Sequence, residues 1–268
     1  MNIQSLLDKI GIGRATVAER VTAHMHLFAV LPRLGDLIRL DEEARELAAE
    51  LELSLDFVVL GGPVAHIRFR KGRFEHGPGR LGFPALDLVF TSCGRLNRMF
   101  DGEKIMPIPM GGLHQLPKVK RFEALTERLT RHLKPSPDDL ANAGFLARHV
   151  ELSLLTGLAA ACQIGQHDPT ARARIMPALH DGTIQFRVKG GPSAFVRISH
   201  GELSAEAGET AEPTAMLELK DLDFTTKLIR GEVDAFSAVG ATDIRMSGDL
   251  FMADEFNALF DRVGLFLS

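Results

Sequence analysis

The sequence predicts an α+β chain built from two tandem copies of one unit. Three observations predict it: a hairpin-like stretch that occurs twice, a constant spacing between the copies, and apolar residues alternating with period two inside each. The first copy of the stretch is LDFVVLGGPVAHIRFRKG, Leu55 to Gly72, and the second is IQFRVKGGPSAFVRISHG, Ile184 to Gly201. An offset of 129 positions joins Phe57 to Phe186, Gly61-Gly62-Pro63 to Gly190-Gly191-Pro192, Arg68 to Arg197, and Pro84 to Pro213. It needs no gap from about Val17 to Lys104. Near the end, FEALTER from Phe122 matches FNALFDR from Phe256 at an offset of 134, so the second copy carries five extra residues around Ala238 to Phe251. Self-similarity at a fixed period over a whole domain length is the mark of internal repetition.

Each element follows from local chemistry. Residues 15 to 30 are predicted helical, with Val17, Val21, His24, Leu27 and Phe28 near one face, and Pro32 and Gly35 are predicted to break the helix. Asp41 caps a second helix to about Leu51, with Glu42 and Glu43 in its first turn. The hairpin turns on Gly-Gly-Pro, because Gly accepts positive φ and Pro donates no ladder hydrogen bond. A third strand passes through Phe74, and Leu86, Leu88 and Phe90 alternate as a fourth. Thr91 or Ser92 caps a short helix through Phe100, Pro107 and Pro109 punctuate an irregular piece, and a closing helix runs from about Pro117 to His132. Lys134-Pro-Ser-Pro-Asp-Asp139 is the predicted linker, dividing the chain into domains 1–134 and 138–268.

The second copy repeats the order. A helix is predicted from Asp139 to about Gln163, and a shorter one from Thr170 ends near Pro177. Four strands follow, then a helix from Phe224 to Arg230 capped by Asp221 or Asp223. A helical turn spans Asp234 to Val239. Thr242, Ile244 and Met246 form a fifth strand, and Asp249 caps a final helix from Leu250 to Leu267.

Composition sets bounds. Half of 268 residues is a common domain size, and 45% hydrophobic with 25% charged residues is ordinary for a globular chain. A net charge of −4 leaves no footprint for nucleic acid, which requires a basic stripe. Cys93 and Cys162 fit neither a zinc spacing nor a disulfide framework and agree with a reducing cytoplasm. MNIQSLLDKIGIG lacks the basic-then-apolar layout of a signal peptide. The greasiest run, Leu152 to Ile164, is shorter than the roughly 20 apolar residues of a membrane span, so no integral membrane segment is expected. The chain has 17 Phe but no Trp or Tyr. Phe brings a ring without a polar tip, which fits either plain composition or an unusually dry interior.

From Thr183 to Phe260 the second copy resembles the sterol carrier protein type 2 domain. The marks run in the family's order: TIQFRV, Ala194 to Gly201, Pro213 with AMLELK, DLDFTTKLIRGEVDAFSA, and IRMSGDLFMADEF with its Ser247-Gly248-Asp249 turn. The first copy matches through Glu103. It then departs, with Pro107, Pro109 and Gly111-Gly112 where the family has helix and strand. The resemblance implies two tandem sterol-carrier-like domains, each a five-stranded, mainly antiparallel sheet covered by helices, with added N-terminal helices. It implies a hydrophobic tunnel for a sterol, fatty acyl or isoprenoid lipid, with no catalysis, metal or cofactor.

The candidate ligand-binding residues follow from facing. The strands of the second copy would turn Phe186, Val188, Val196, Ile198, Leu217, Leu219, Ile244 and Met246 inward. The final helix offers Phe251, Phe256, Leu259, Phe260 and Val263. Plain core residues obey the same periodicity, so facing alone does not separate core from ligand contact.

Other chemistry is weaker. His24 and His26 point apart on a helix and make a poor metal pair, and Ser199-His200 lacks a third triad member. Gly11-x-Gly13 lacks the strand-turn-helix glycine set of a nucleotide site, and Glu42-Glu43 and Asp138-Asp139 are helix-start charges. Three readings stand: a tandem lipid carrier, an accessory scaffold docking partner enzymes of lipid or isoprenoid-quinone metabolism, and, last, an enzyme with an unrecognised site. Val58 and Leu60 favour the scaffold in the first copy, because they stand where Arg187 and Lys189 keep the second polar.

Overall fold

A computed structural model describes residues 15–267 of the chain. The MNIQSLLDKIGIG stretch, including Gly11 and Gly13, lies outside the described residues. The chain divides into two compact units, Met1–Leu129 and Thr130–Ser268.

In the first unit Thr16 caps the helix Val17–Met25. Its Oγ1 accepts from Glu19 N at 3.1 Å while Glu19 reaches back to Thr16 N at 2.8 Å. The helix widens into a π turn, His26–Val30, and a new helix, Arg33–Leu40, starts directly after Pro32. The first helical stretch ends at Val30 before Pro32, as expected, and Pro32 then precedes a new helix, where a missing N–H costs nothing; Gly35, expected to break the helix as well, lies inside the new one. Asp41 caps the helix Glu42–Ala49, accepting from Ala44 N at 2.9 Å.

Strands β1 (Leu53–Val59), β2 (Val64–Arg70), β3 (Arg73–Pro78), β4 (Leu86–Phe90) and β5 (Ile108–Met110) form a sheet in the order β3-β2-β1-β4-β5. The second unit has β6 (Gly182–Val188), β7 (Ser193–Ser199), β8 (Glu202–Ala207), β9 (Ala215–Leu219) and β10 (Ile244–Gly248), in the order β10-β9-β6-β7-β8. The two orders are the same topology read from opposite edges.

Two expectations are corrected. The sheets are mixed rather than mainly antiparallel: β1 runs parallel to β4 and β6 parallel to β9 at the centre of each. The third strand of each unit cannot turn tightly into the fourth, because the fourth returns beside the first in the same direction. The prolines after Glu103 also do not abolish the fifth strand. β5 pairs antiparallel with β4 through Leu88 and Pro109, and an edge strand is where a sheet tolerates Pro.

The parallel pair forces residues 79–85 and 208–214 to cross back over one face of their sheets. A buried polar side chain on each central strand receives them. Asp56 is 0% exposed and accepts from Leu81 N at 2.9 Å and Gly82 N at 3.0 Å. Gln185, 129 positions on, is 1% exposed. It accepts from Thr210 N at 2.8 Å and donates to the carbonyl oxygens of Gly208 at 3.1 Å and Ala194 at 2.9 Å.

The second unit is built on the 25-residue helix Ala143–His167, capped by Asn142. It packs on β7, β8 and the helices Leu222–Ile229 and Leu250–Leu267. It is longer than the run Leu152–Ile164 and is long and apolar enough to cross a membrane by length and composition, yet 67% of its most apolar window is buried in the fold. Burial on that scale is the signature of a core helix.

The predicted linker is not loose. Ser136 and Asp139 form a capping box on the short helix Pro137–Leu140, and Arg131 pairs with Asp139. His132 stacks on Phe145 with centroids 4.2 Å apart, and its carbonyl oxygen accepts from His149 Nδ1 at 2.7 Å. Burial lowers the His149 pKa, a nearby Arg230 adds to this, and the bond to His132 opposes it. The end of the helix Val119–Leu133 therefore belongs with the second unit.

Two predictions follow from these contacts. Replacing Asp56 with Ala orphans two backbone donors under the crossover and should cost about 2–4 kcal/mol in denaturant unfolding; a loss below 1 kcal/mol would mean the crossover needs no anchor. A fragment 130–268 should be more stable than a fragment 138–268 by about 1–3 kcal/mol, because the shorter one removes the partner of buried His149. Equal melting curves would place the boundary at the linker instead.

Candidate functional site: an apolar sheet face under the final helix

Register places the strand residues directly. Phe186 lies opposite Ala194 on β7 and Leu217 on β9, and Met246 lies opposite Leu217. Directly opposed residues share a face. Ile184, Phe186 and Val188 therefore point the same way as Val196, Ile198, Leu217, Leu219, Ile244 and Met246. The crossover occupies the other face, with Gln185.

The final helix, Leu250–Leu267, covers part of this surface. Gly248 makes the turn into it with φ 80°, and an added Cβ would meet the Thr214 carbonyl oxygen. Asp249 then caps the helix, accepting from Met252 N at 3.0 Å. Further along, Arg262 is bonded to the buried Asp168, which also caps the helix Pro169–Arg174. That ion pair latches the final helix to the end of the long one.

Aromatic rings join sheet and helix. The centroids of Phe186 and Phe256 are 5.9 Å apart, Phe186 and Phe260 6.1 Å, and Phe256 and Phe260 5.5 Å. A Cβ on Gly157 of the long helix would stand 3.5 Å from the Phe260 ring. Phe256 is 1% and Leu259 0% exposed, whereas Leu217, Met246, Phe260 and Val263 are half-buried. Phe251 is 60% exposed and points away from the sheet; the inward residue of that first turn is Met252, at 0%. Phe251 is one position off the inward stripe, about 100° around the helix.

The arrangement is thus closed at Phe256 and Leu259 and open along Leu217, Met246, Phe260 and Val263. A separate cavity of about 460 Å³ opens at the end of the long helix, lined by polar groups of Gln166, His167, Arg172 and Glu202, and holds none of the thirteen predicted residues. Burial pushes the Cys93 thiol up to about 11 and the Cys162 thiol up to about 12, so both stay protonated and unreactive near neutral pH. Among the described residues no His, Cys, Asp or Glu cluster could hold a metal.

Sequence reasoning missed Gln185, reading it as the wet side of an alternating strand. The offset itself carried the signal, since Asp56 and Gln185 are both polar at the same place. The Arg262–Asp168 latch left no sequence signal, because its partners are 94 positions apart.

Residues 161–261 match the model of the SCP-2 sterol transfer family. That stretch is one SCP-2 sterol transfer domain. It spans every predicted site residue except Val263. Among solved structures, the chain is similar to sterol carrier protein 2 like 2 from Aedes aegypti, at 19% identity and TM-score 0.24, covering 32% of this chain and 89% of that one. It is similar to a UbiJ-SCP2 ubiquinone synthesis protein at 14% identity and TM-score 0.32, covering 41% and 96%. It is also similar to the sec-alkylsulfatase Pisa1 from Pseudomonas sp. at 14% identity and TM-score 0.25, covering 54% and 28%. At such values the likenesses carry no argument about ligand or activity. No curated protein matches the chain.

The two helix phenylalanines give a test of the SCP-2 domain. Phe256→Ala should cost about 3–5 kcal/mol, as for a packed core ring. Phe260→Ala should cost less, about 1–2 kcal/mol, because a half-buried ring has fewer contacts to lose. Thermal unfolding of both variants decides it, and equal losses would make the whole helix face plain core.

Proposed function

We propose that the chain is a tandem duplication whose second unit binds a hydrophobic ligand, a sterol, fatty acyl or isoprenoid lipid, without catalysing a reaction. The observation that carries this reading is the apolar surface of Leu217, Met246, Phe260 and Val263. It is left half-covered, within or beside the segment matching the sterol transfer family. An apolar surface with few polar groups is the usual form of a lipid site, and the thioether of Met246 adapts to varied chains. The buried Cys162 thiol of the second unit, held protonated, supports a binding role over a thiol-dependent reaction. The duplication is supported by the constant offset and by the identical strand order of the two sheets. We place the activity in the cytoplasm.

The close packing of Phe256 and Leu259 favours a second reading, in which the domain is a scaffold in a lipid pathway that carries nothing. Native mass spectrometry of freshly purified protein separates the two. A carrier should retain a lipid-sized adduct that Met246→Arg removes without unfolding the domain, because a charge on an apolar wall expels lipid. Protein of bare mass that also fails to take up a fluorescent fatty acid would establish the scaffold.

A further inference from the structure

The two units differ most on the face that carries the crossover. Register and offset pair the positions. Val58, Val89, Ile108 and Met110 of the first sheet correspond to Arg187, Glu218, Arg245 and Ser247 of the second, and Phe83 on the crossover corresponds to Glu212. At four of these five positions the second unit presents charge where the first presents hydrocarbon, and at the fifth a hydroxyl. That hydrocarbon is out in water: Phe83 is 88%, Met106 79%, Ile108 51%, Met110 53% and Leu113 54% exposed.

The patch is held rigidly. Gln115, 4% exposed, accepts from Ser54 N at 2.8 Å and donates to the Pro84 carbonyl oxygen, tying the turn Leu113–Lys118 to β1 and to the crossover beside Phe83. An added Cβ on Gly112 would run into the Ala85 backbone, so the turn lies flush on the crossover. Exposed apolar residues at fixed positions mark an interaction surface.

Charge decides what fits it. Residues 104–121 contain Lys104, Lys118, Lys120 and Arg121 and no acidic residue, in a chain of net charge −4. Arg121 is paired with Glu50 at 2.7 Å, and Lys118 Nζ donates to the Glu52 carbonyl oxygen at 2.6 Å. Lys104 and Lys120 are exposed. A second copy docked on this face by two-fold symmetry would set these cations against themselves. Protein interfaces are enriched in Phe, Met and Arg and depleted in Lys, so Phe83, Met106 and Met110 alone would suit a protein partner and it is the exposed Lys104 and Lys120 that weigh against one. Apolar side chains that enter acyl chains, in a segment whose exposed charges are lysines, match a membrane surface carrying anionic lipid.

We propose that the crossover face of the first unit, from Phe83 through Met106, Ile108, Met110 and Leu113, docks the protein reversibly on anionic bilayers. The proposal stands on the first unit and does not require the second to carry lipid. The test is flotation of the full chain with phosphatidylcholine vesicles, with and without 30% phosphatidylglycerol, at low and at 0.5 M salt. Binding should be at least tenfold stronger to the anionic vesicles and should fall with salt. Lys104→Glu with Lys120→Glu should weaken it at least 25-fold, since each lysine near such a surface is worth about fivefold. Phe83→Ser with Met110→Ser should also reduce it at least tenfold, and these exposed positions leave the melting curve unchanged. Arg245→Glu on the second unit serves as control and should retain binding. Absent flotation, equal binding to neutral vesicles, or full binding by either double variant would overturn the proposal. So would a protein partner lost by these variants while vesicles do not bind at all.

Discussion

The central parallel pair of each sheet is the constraint on which the rest depends. Two neighbouring strands can run parallel only if the chain returns to its starting edge, and here the return passes over one face of the sheet as irregular backbone. Such backbone carries donors that need partners. Asp56 and Gln185 supply partners from the middle of the central strands. Their burial at 0% and 1% would be costly for lone polar groups, and the bonds to the crossover offset that cost. With one face given to the crossover, the helices must lie on the other. In the second unit the apolar half of each strand therefore looks toward the helices.

The helical layer covers that face unevenly. The long helix spans β7 and β8, and the final helix is clamped at its start by the Gly248 turn and near its end by Arg262 on Asp168. Phe256 and Leu259 lie between the clamps and are fully packed. Phe260 and Val263 are half-open, as are Leu217 and Met246 on the sheet beneath. The same helix thus carries fully packed and half-buried residues side by side.

Much of this was legible in the sequence. Alternation on β6, β7, β9 and β10 set the inward face, and register confirms that facing for all eight strand residues. Caps at Asp41, Ser92 and Asp249 set helix starts, because a side-chain acceptor next to an apolar run has few other uses. Phe251 went astray although the helix start was placed correctly at Leu250, because it stands one position off the stripe of Met252, Phe256, Leu259 and Val263, about 100° around the helix. The parallel pairing was hidden because a half-buried strand shows the same alternation in either direction. β5 was hidden because proline weighs against a strand in local reasoning and is harmless on an outer edge.

The difference between the units also follows from position. Helix-side residues are constrained by packing in both, so Phe57 and Phe186, or Leu88 and Leu217, stay alike. Crossover-side residues beyond the polar anchor touch little else and can change sign or polarity at small cost. In the second unit they form water-facing ion pairs such as Arg187 with Glu209 and Arg197 with Glu206. The first unit keeps the pairs Arg68 with Glu75 and Arg80 with Asp87, but its outer strand and crossover add exposed hydrocarbon at Phe83, Ile108 and Met110, which raises no barrier to folding but reduces solubility unless something covers it. A protein keeps such a face when a partner recovers that cost. Since the interior of each unit is set by the helices, the outer face of the first can take on a new role without disturbing its own core.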